Sequence, residues 1–134
     1  MSVLHKDKPC PFGPELERYW RQRYEYFSRF DDGIKIDAEG LHTVMPEKSA
    51  LAQARWLPGQ IILDGFAGVG GCALAYAKTG KKVIAVELDE KRLMMAQHNA
   101  RIYGVDHLIT FICGDIFTVA STVKADVAHL DPPW

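Results

Sequence analysis

The chain has 134 residues, 48% hydrophobic and 25% charged, with a formal net charge of −1. That is one domain or part of one, apolar enough for a core and too apolar for a disordered chain. The balanced charge carries no polycationic signature, so a nucleic-acid role has to rest on local chemistry. The three cysteines, Cys10, Cys72 and Cys113, are odd in number and lack metal-ligand spacing. They read as reduced thiols of an intracellular protein, with no metal expected. The opening MSVLHKDK has no apolar signal region and no run of about 18 apolar residues follows, so no membrane is expected and the location reads as cytosolic or nuclear.

Residues 1–13 read as a flexible lead-in and residues 14–58 as an N-terminal helical extension or lid. Pro14 suits a first helical position. Leu16, Tyr19, Trp20, Tyr24, Phe27 and Phe30 then recur at three-to-four spacing, with Arg18, Arg21, Arg23 and Arg29 interleaved. One reading is a helix facing the core with solvated arginines. The other is a lid whose aromatics and arginines meet a base and phosphates. Glu15, Glu17 and Glu25 offset the arginines, so charge does not decide between them. Phe30-Asp31-Asp32-Gly33 reads as a turn, 34–36 as extended, and Glu39-Gly40 as a second turn. Pro46 opens a helix that runs to Trp56 and stops at Pro58-Gly59.

From residue 59 the pattern is regular. Strands at 61–64, 83–87, 108–113 and 127–130 alternate with helices at 71–79 and 90–103 and a short helical piece at 116–121. Asp89 is placed to cap the second helix, and Gly80 and Gly104 to close the two long ones. Strands apolar throughout, alternating with helices, predict an α/β fold: a Rossmann-like, mostly parallel sheet covered on both faces. The fourth strand, close to the last residue Trp134, needs a further neighbour. The chain therefore reads as the first four strands of a longer domain, incomplete at its C-terminus.

Residues 61–71 form the centre of this pattern. An apolar run ends in Asp64, and a loop with Gly65, Gly68, Gly70 and Gly71 leads into a small-residue helix. Gly68-Val69-Gly70-Gly71-Cys72-Ala73 fits the dinucleotide fingerprint, and Glu87 ends the next strand. Asp64 argues against a dinucleotide, because a pyrophosphate would pass beside its like charge. A carboxylate there suits a cationic ligand without phosphate, and S-adenosyl-L-methionine carries both an ammonium and a sulfonium. Glu87 is placed to accept ribose hydroxyls. Asp115, after the third strand, is placed to accept an adenine amino group and also to cap the next helix. Phe66, Gly68, Gly70 and Ile116 complete the expected cofactor set.

Asp131-Pro132-Pro133-Trp134 ends the fourth strand. The prolines fix the backbone and remove N–H donors. Carbonyls and the Asp131 carboxylate can then accept the hydrogens of an exocyclic amine and favour its in-line attack on a sulfonium methyl. Trp134 offers a face for the base to stack on, with a cation–π gain if the base is charged. Asp131, Pro132 and Trp134 are the expected catalytic residues.

With these residues in place the chain resembles the trimethylguanosine synthase family of class I S-adenosylmethionine-dependent methyltransferases. The resemblance runs from about Glu17 to Trp134 and rests on Tyr19-Trp-Arg-Gln-Arg-Tyr24, Phe27-Ser-Arg-Phe-Asp-Asp-Gly-Ile34, Pro46-Glu-Lys48, Asp64-Gly-Phe-Ala-Gly-Val-Gly-Gly71, Asn99-Ala-Arg-Ile-Tyr-Gly104, Phe111-Ile-Cys-Gly-Asp115 and Pro132-Pro-Trp134. It implies methylation of the N2 amine of the 7-methylguanosine cap of small nuclear and nucleolar RNAs to a 2,2,7-trimethylguanosine cap, by a nuclear, monomeric enzyme. By motif match Trp134 would stack on the 7-methylguanine and Asn99 would bond its edge, while Phe27 and Phe30 would help close both sites. Cys72 and Met45 depart from the small polar residues expected there. The competing readings are a guanine-N2 or adenine-N6 methyltransferase of ribosomal RNA or DNA, and a cap- or cofactor-binding module without turnover. An NAD-dependent dehydrogenase leaves Asp64 and Pro132-Pro-Trp134 without a role.

Overall fold

A computed structural model describes residues 8–133. Its centre is a four-stranded sheet, all parallel, in the order β3-β2-β1-β4. The strands are β1 (Ile61–Asp64), β2 (Lys82–Glu87), β3 (Ile109–Cys113) and β4 (Val127–His129). Side chains alternate between the faces. Ile62, Val83, Ala85, Ile109 and Phe111 join a large core, and Leu63, Ile84, Val86 and Ile112 a small one on the other side. Strands that bury both faces have no polar alternation, which is why they read as short apolar runs.

The helices α5 (Gly71–Lys78) and α6 (Glu90–Ile102) contribute Ala73, Leu74, Tyr76 and Ala100 to the large core. Asp89 caps α6, accepting from the Arg92 N–H at 3.0 Å. On the opposite face lies the single turn α7 (Ile116–Val119), capped by Asp115, which accepts from the Phe117 N–H at 2.9 Å. The chain leaves β1 toward β2 and β3 on one side and reaches β4 on the other. The order reverses at β1/β4, where open α/β sheets place their ligands, beyond the carboxyl ends of the strands.

The N-terminal extension differs from the expected continuous helix. A 3-10 turn (Pro14–Leu16) leads into α1 (Glu17–Arg21), and a break at Gln22 (φ −92°, ψ 6°) separates it from α2 (Arg23–Tyr26). Arg23 accounts for the break. It is 2% exposed, its guanidinium donates to the Trp20 carbonyl at 2.9 Å, and it lies 4.4 Å from the Trp20 ring and 4.7 Å from the Tyr24 ring. The arginine thus takes a carbonyl that a helix end would leave free and stacks between rings. Trp20, Tyr26, Phe27 and Ile34 share the large core with the sheet, so the stripe faces inward.

The turn expected at Glu39-Gly40 is instead inside a helix, α3 (Ala38–Thr43), with Asp37 as its cap accepting from the Gly40 N–H at 2.7 Å. Glycine weakens a helix, but a Cβ at Gly40 would sit 2.8 Å from Val69 Cγ1. The glycine lets α3 lie directly on the loop after β1. Next, α4 (Glu47–Trp56) packs on α5, and Glu47 pairs with Lys78 at 2.5 Å. At the amino ends of the strands Asp126 clasps β1 to β4, its Oδ2 accepting from the Gln60 and Ile61 N–H groups at 2.7 and 2.9 Å.

Candidate active site

A cavity of about 580 Å³ opens at the β1/β4 switch point, within the size range of small-molecule sites. Asp64, Phe66, Gly68, Glu87, Asp115, Ile116, Asp131 and Pro132, from four separate segments, all line it. The parallel sheet brings them together by ending β1, β2, β3 and β4 at one level.

Glu87 fixes the glycine loop. Its Oε1 accepts from the Gly68 N–H at 2.9 Å and its Oε2 from the Asp89 N–H at 2.8 Å. Each oxygen keeps a lone pair for a hydroxyl in the cavity. Gly68 has φ +56°, and a Cβ there would meet nothing within 4 Å. The wall stays low at that point, as a ligand lying close to the backbone requires. Gly70 (φ +98°) does not line the cavity. A Cβ there would strike Leu74 and Ala96, so its role is to cap α5 and let α6 approach.

Asp64 lies in the cavity floor, 1% exposed. Burial, and then the nearby Asp131 and Glu87 charges, push its carboxyl up to about 7, against the Phe66 N–H that it accepts. Its Oδ2 has no hydrogen-bond partner among the described residues. A buried, unpaired carboxylate oxygen is expensive, and a hydrogen-bond donor or a cationic group would satisfy it. Beside it, burial also pushes the Cys72 thiol up, making it an unreactive wall residue 4.0 Å from Met45 Sδ.

Several lining residues escaped sequence reasoning. Leu88 and Phe117 are exposed apolar side chains that line the cavity together with Asp115 and Ile116. An apolar residue directly after the acid of β2 was the only signal for Leu88. Thr43, Val44 and Met45 bring the end of α3 and the following loop into the wall. Arg92 ties that region to α6, with its Nε donating to Asp37 at 2.8 Å and its Nη2 paired with Glu39.

The residues expected to grip a base are placed differently. Asn99 is 0% exposed and outside the cavity. Its Oδ1 accepts from the Lys35 N–H at 2.8 Å, and its Nδ2 donates to the Lys35 and Val69 carbonyls, each at 2.9 Å. With its amide committed to backbone, Asn99 is a strut joining the extension, α6 and the glycine loop. Phe27 is 2% exposed and core-bound, and Phe30 stands edge-on to Trp20 and Tyr24. Neither lines the cavity. The stacking role expected of Trp134 lies outside the described residues.

The chain is similar to known proteins. The sequence model of the RNA cap guanine-N2 methyltransferase family matches residues 59–134. The chain is 37% identical to trimethylguanosine synthase of Schizosaccharomyces pombe, an alignment covering 99% of this chain and 60% of that protein. Among solved structures, an RNA methyltransferase from Salinibacter ruber in complex with S-adenosyl-L-homocysteine is 28% identical with a TM-score of 0.53, covering 61% of this chain and 54% of that one. Pyrococcus abyssi tRNA (uracil-54, C5)-methyltransferase, also in complex with S-adenosyl-L-homocysteine, is 28% identical with a TM-score of 0.57, covering 64% and 21%. The chain thus spans less than two thirds of the length of each of these relatives. A methyltransferase fold, acids at the ends of successive parallel strands, and a family match that covers residues 59–134 lead to one assignment: this chain belongs to the RNA cap guanine-N2 methyltransferase family.

Proposed function

We propose that the chain binds S-adenosyl-L-methionine in the β1/β4 cavity and methylates the N2 amine of a 7-methylguanosine RNA cap, toward 2,2,7-trimethylguanosine. The observation that carries this reading is Asp131-Pro132-Pro133 on the rim of a cavity whose floor holds an unpaired buried carboxylate, within the segment matched by the cap-methyltransferase family. A nuclear location and small capped RNAs as substrates belong to the same proposal.

The cofactor, when bound, supplies a methyl group on an electrophilic sulfonium. The chain's residues do the rest. Asp64 Oδ2 would take the ammonium, the free lone pairs of Glu87 would take ribose hydroxyls, and Asp115 would take the adenine amine, with Leu88, Ile116 and Phe117 as apolar lining. Asp131 and the carbonyls beside the prolines accept the N–H groups of the guanine amine. Asp131 is also placed to take, directly or through water, the proton that the amine would give up on methylation. The protein contributes position and charge, and no covalent intermediate. Trp134 is proposed to stack on the cationic 7-methylguanine.

Methyl transfer from labelled S-adenosyl-L-methionine is measured on 7-methylguanosine-capped RNA and on the same RNA with an unmethylated guanosine cap. Label on the methylated cap alone, lost in Trp134→Ala, is expected. Equal label on both RNAs would replace the cap reading with a general nucleobase methyltransferase. Cofactor binding without label on either would mark a binding module.

A further inference from the structure

The proposed chemistry gives Asp64 a role and leaves its buried neighbour, His129, without one. In the parallel register of β1 and β4, Asp64 stands opposite His129, and both side chains leave the α5 face of the sheet. His129 Nδ1 is 3.8 Å from Asp64 Oδ1, with side chains 11% and 2% exposed. That is too long for a hydrogen bond, yet His129 Nδ1 and Asp64 Oδ2 have no partner among the described residues. The Tyr76 ring holds the imidazole edge-on, with centroids 5.7 Å apart and planes at 82°. The Gly65 N–H holds the His129 carbonyl at 3.0 Å. Buried polar atoms are normally paired. Two unpaired atoms on facing residues that both line the cavity leave a polar network open there.

We propose that His129 is a positioning residue for Asp64: when the cofactor binds, the 3.8 Å gap closes, the His129 Nδ1–H donates to Asp64 Oδ1, and Oδ2 is left to receive the amine of the cofactor. This rests on the cofactor site proposed above. The other groups facing Asp64 are Glu87 on β2, Asp131 after β4, and Cys72 and Tyr76 on α5, and none brings positive charge. The cavity's arginine, Arg92, is committed to Asp37 and Glu39. Burial lowers the pKa of His129 from its ordinary value, against the Asp131 charge, so near neutral pH it is an uncharged ring that can donate through one nitrogen. A donor on Oδ1 favours the carboxylate form of Asp64. It therefore extends toward acid the range in which an incoming ammonium meets an anion.

The test is calorimetric titration of S-adenosyl-L-homocysteine, which carries the same amine, into wild type, His129→Asn and His129→Phe from roughly pH 5.5 to 8.5, bracketing the ordinary histidine range. Asparagine keeps an uncharged N–H donor near the Nδ1 position, and phenylalanine keeps the ring against Tyr76 without a donor. Wild type and His129→Asn are expected to weaken together as pH falls. His129→Phe is expected to bind about tenfold more weakly near pH 6.5, with its midpoint about one unit higher, and to return to within about threefold of wild type at the alkaline end. A wild-type pH curve in His129→Phe, or a uniform loss at every pH, overturns the inference. Absence of binding to the folded wild type at every pH would remove the proposed cofactor site, and the inference with it.

Discussion

Asn99 gives the sharpest separation between a contact with substrate and a strut within the fold. Replacing it with alanine removes three hydrogen bonds at once: one from the Lys35 N–H, one to the Lys35 carbonyl and one to the Val69 carbonyl. Lys35 is exposed, so its backbone groups recover water. Val69 is 2% exposed and its carbonyl does not. Leaving a buried acceptor unpaired costs about 1–3 kcal/mol, and each of the other two bonds contributes roughly 0.5–1 kcal/mol net. The expected loss is about 3 kcal/mol, or roughly 10 °C in Tm for a chain of this size. The assay is urea denaturation followed by circular dichroism, with cofactor and cap affinities measured separately on the folded fraction. Cofactor affinity should weaken several-fold because Val69 sits in the glycine loop, while affinity for 7-methylguanosine nucleotide in the presence of saturating cofactor should change little. A stability loss below about 1 kcal/mol together with a selective loss of cap affinity would refute the strut assignment.

Two further predictions concern the cavity floor and its loop. The Asp64 carboxyl is raised by folding to about 7, so the folded state holds a proton there that the unfolded chain has released. Stability from this group is therefore present below the unfolded value and lost as pH climbs toward 7. Asp64→Asn should raise the Tm of the cofactor-free protein at pH 8 and abolish cofactor binding, and an unchanged or lower Tm would contradict the unpaired-carboxylate assignment. The loop glycines should split by function. Gly68→Ala meets only the strain of positive φ, about 1–2 kcal/mol, but puts a methyl on the cavity wall, whereas Gly70→Ala adds a clash with Leu74 and Ala96. Thermal melts and cofactor titrations should show Gly68→Ala losing more affinity than stability and Gly70→Ala the reverse.

What the sequence disclosed follows from how local each signal was. β1 matches its expected bounds, and the Asp89 and Asp115 caps are where the sequence placed them, because a strand end, a glycine turn and a cap are each written in a few adjacent residues. The convergence of Asp64, Glu87, Asp115 and Asp131 on one cavity was legible through the alternation of strands and helices, which dictates a common edge. The break at Gln22 was not. Aromatics at three-to-four spacing read alike in one helix or two, and nothing local says that Arg23 will be buried among rings. The α3 helix was hidden because Glu39-Gly40 has turn composition, while the need for a glycine comes from Val69, twenty-nine positions away. Asn99 shows the limit in reverse: family likeness suggested a substrate contact, and the partners that occupy its amide come from distant backbone.

The clasp at Asp126 has a consequence at the opposite end of the sheet. One carboxylate oxygen takes two successive N–H groups at the entrance to β1. This sets the phase between β1 and β4: Ile62 beside Val127, Leu63 beside Ala128, Asp64 beside His129. A slip of one residue would send His129 to the other face and move Asp131 off the cavity rim. With only three residue pairs in the ladder, β4 has little hydrogen bonding of its own to resist that slip. The alignment of Asp64 with His129 and Asp131 at the cavity is therefore indexed from the far edge of the domain, by a residue that does not line it.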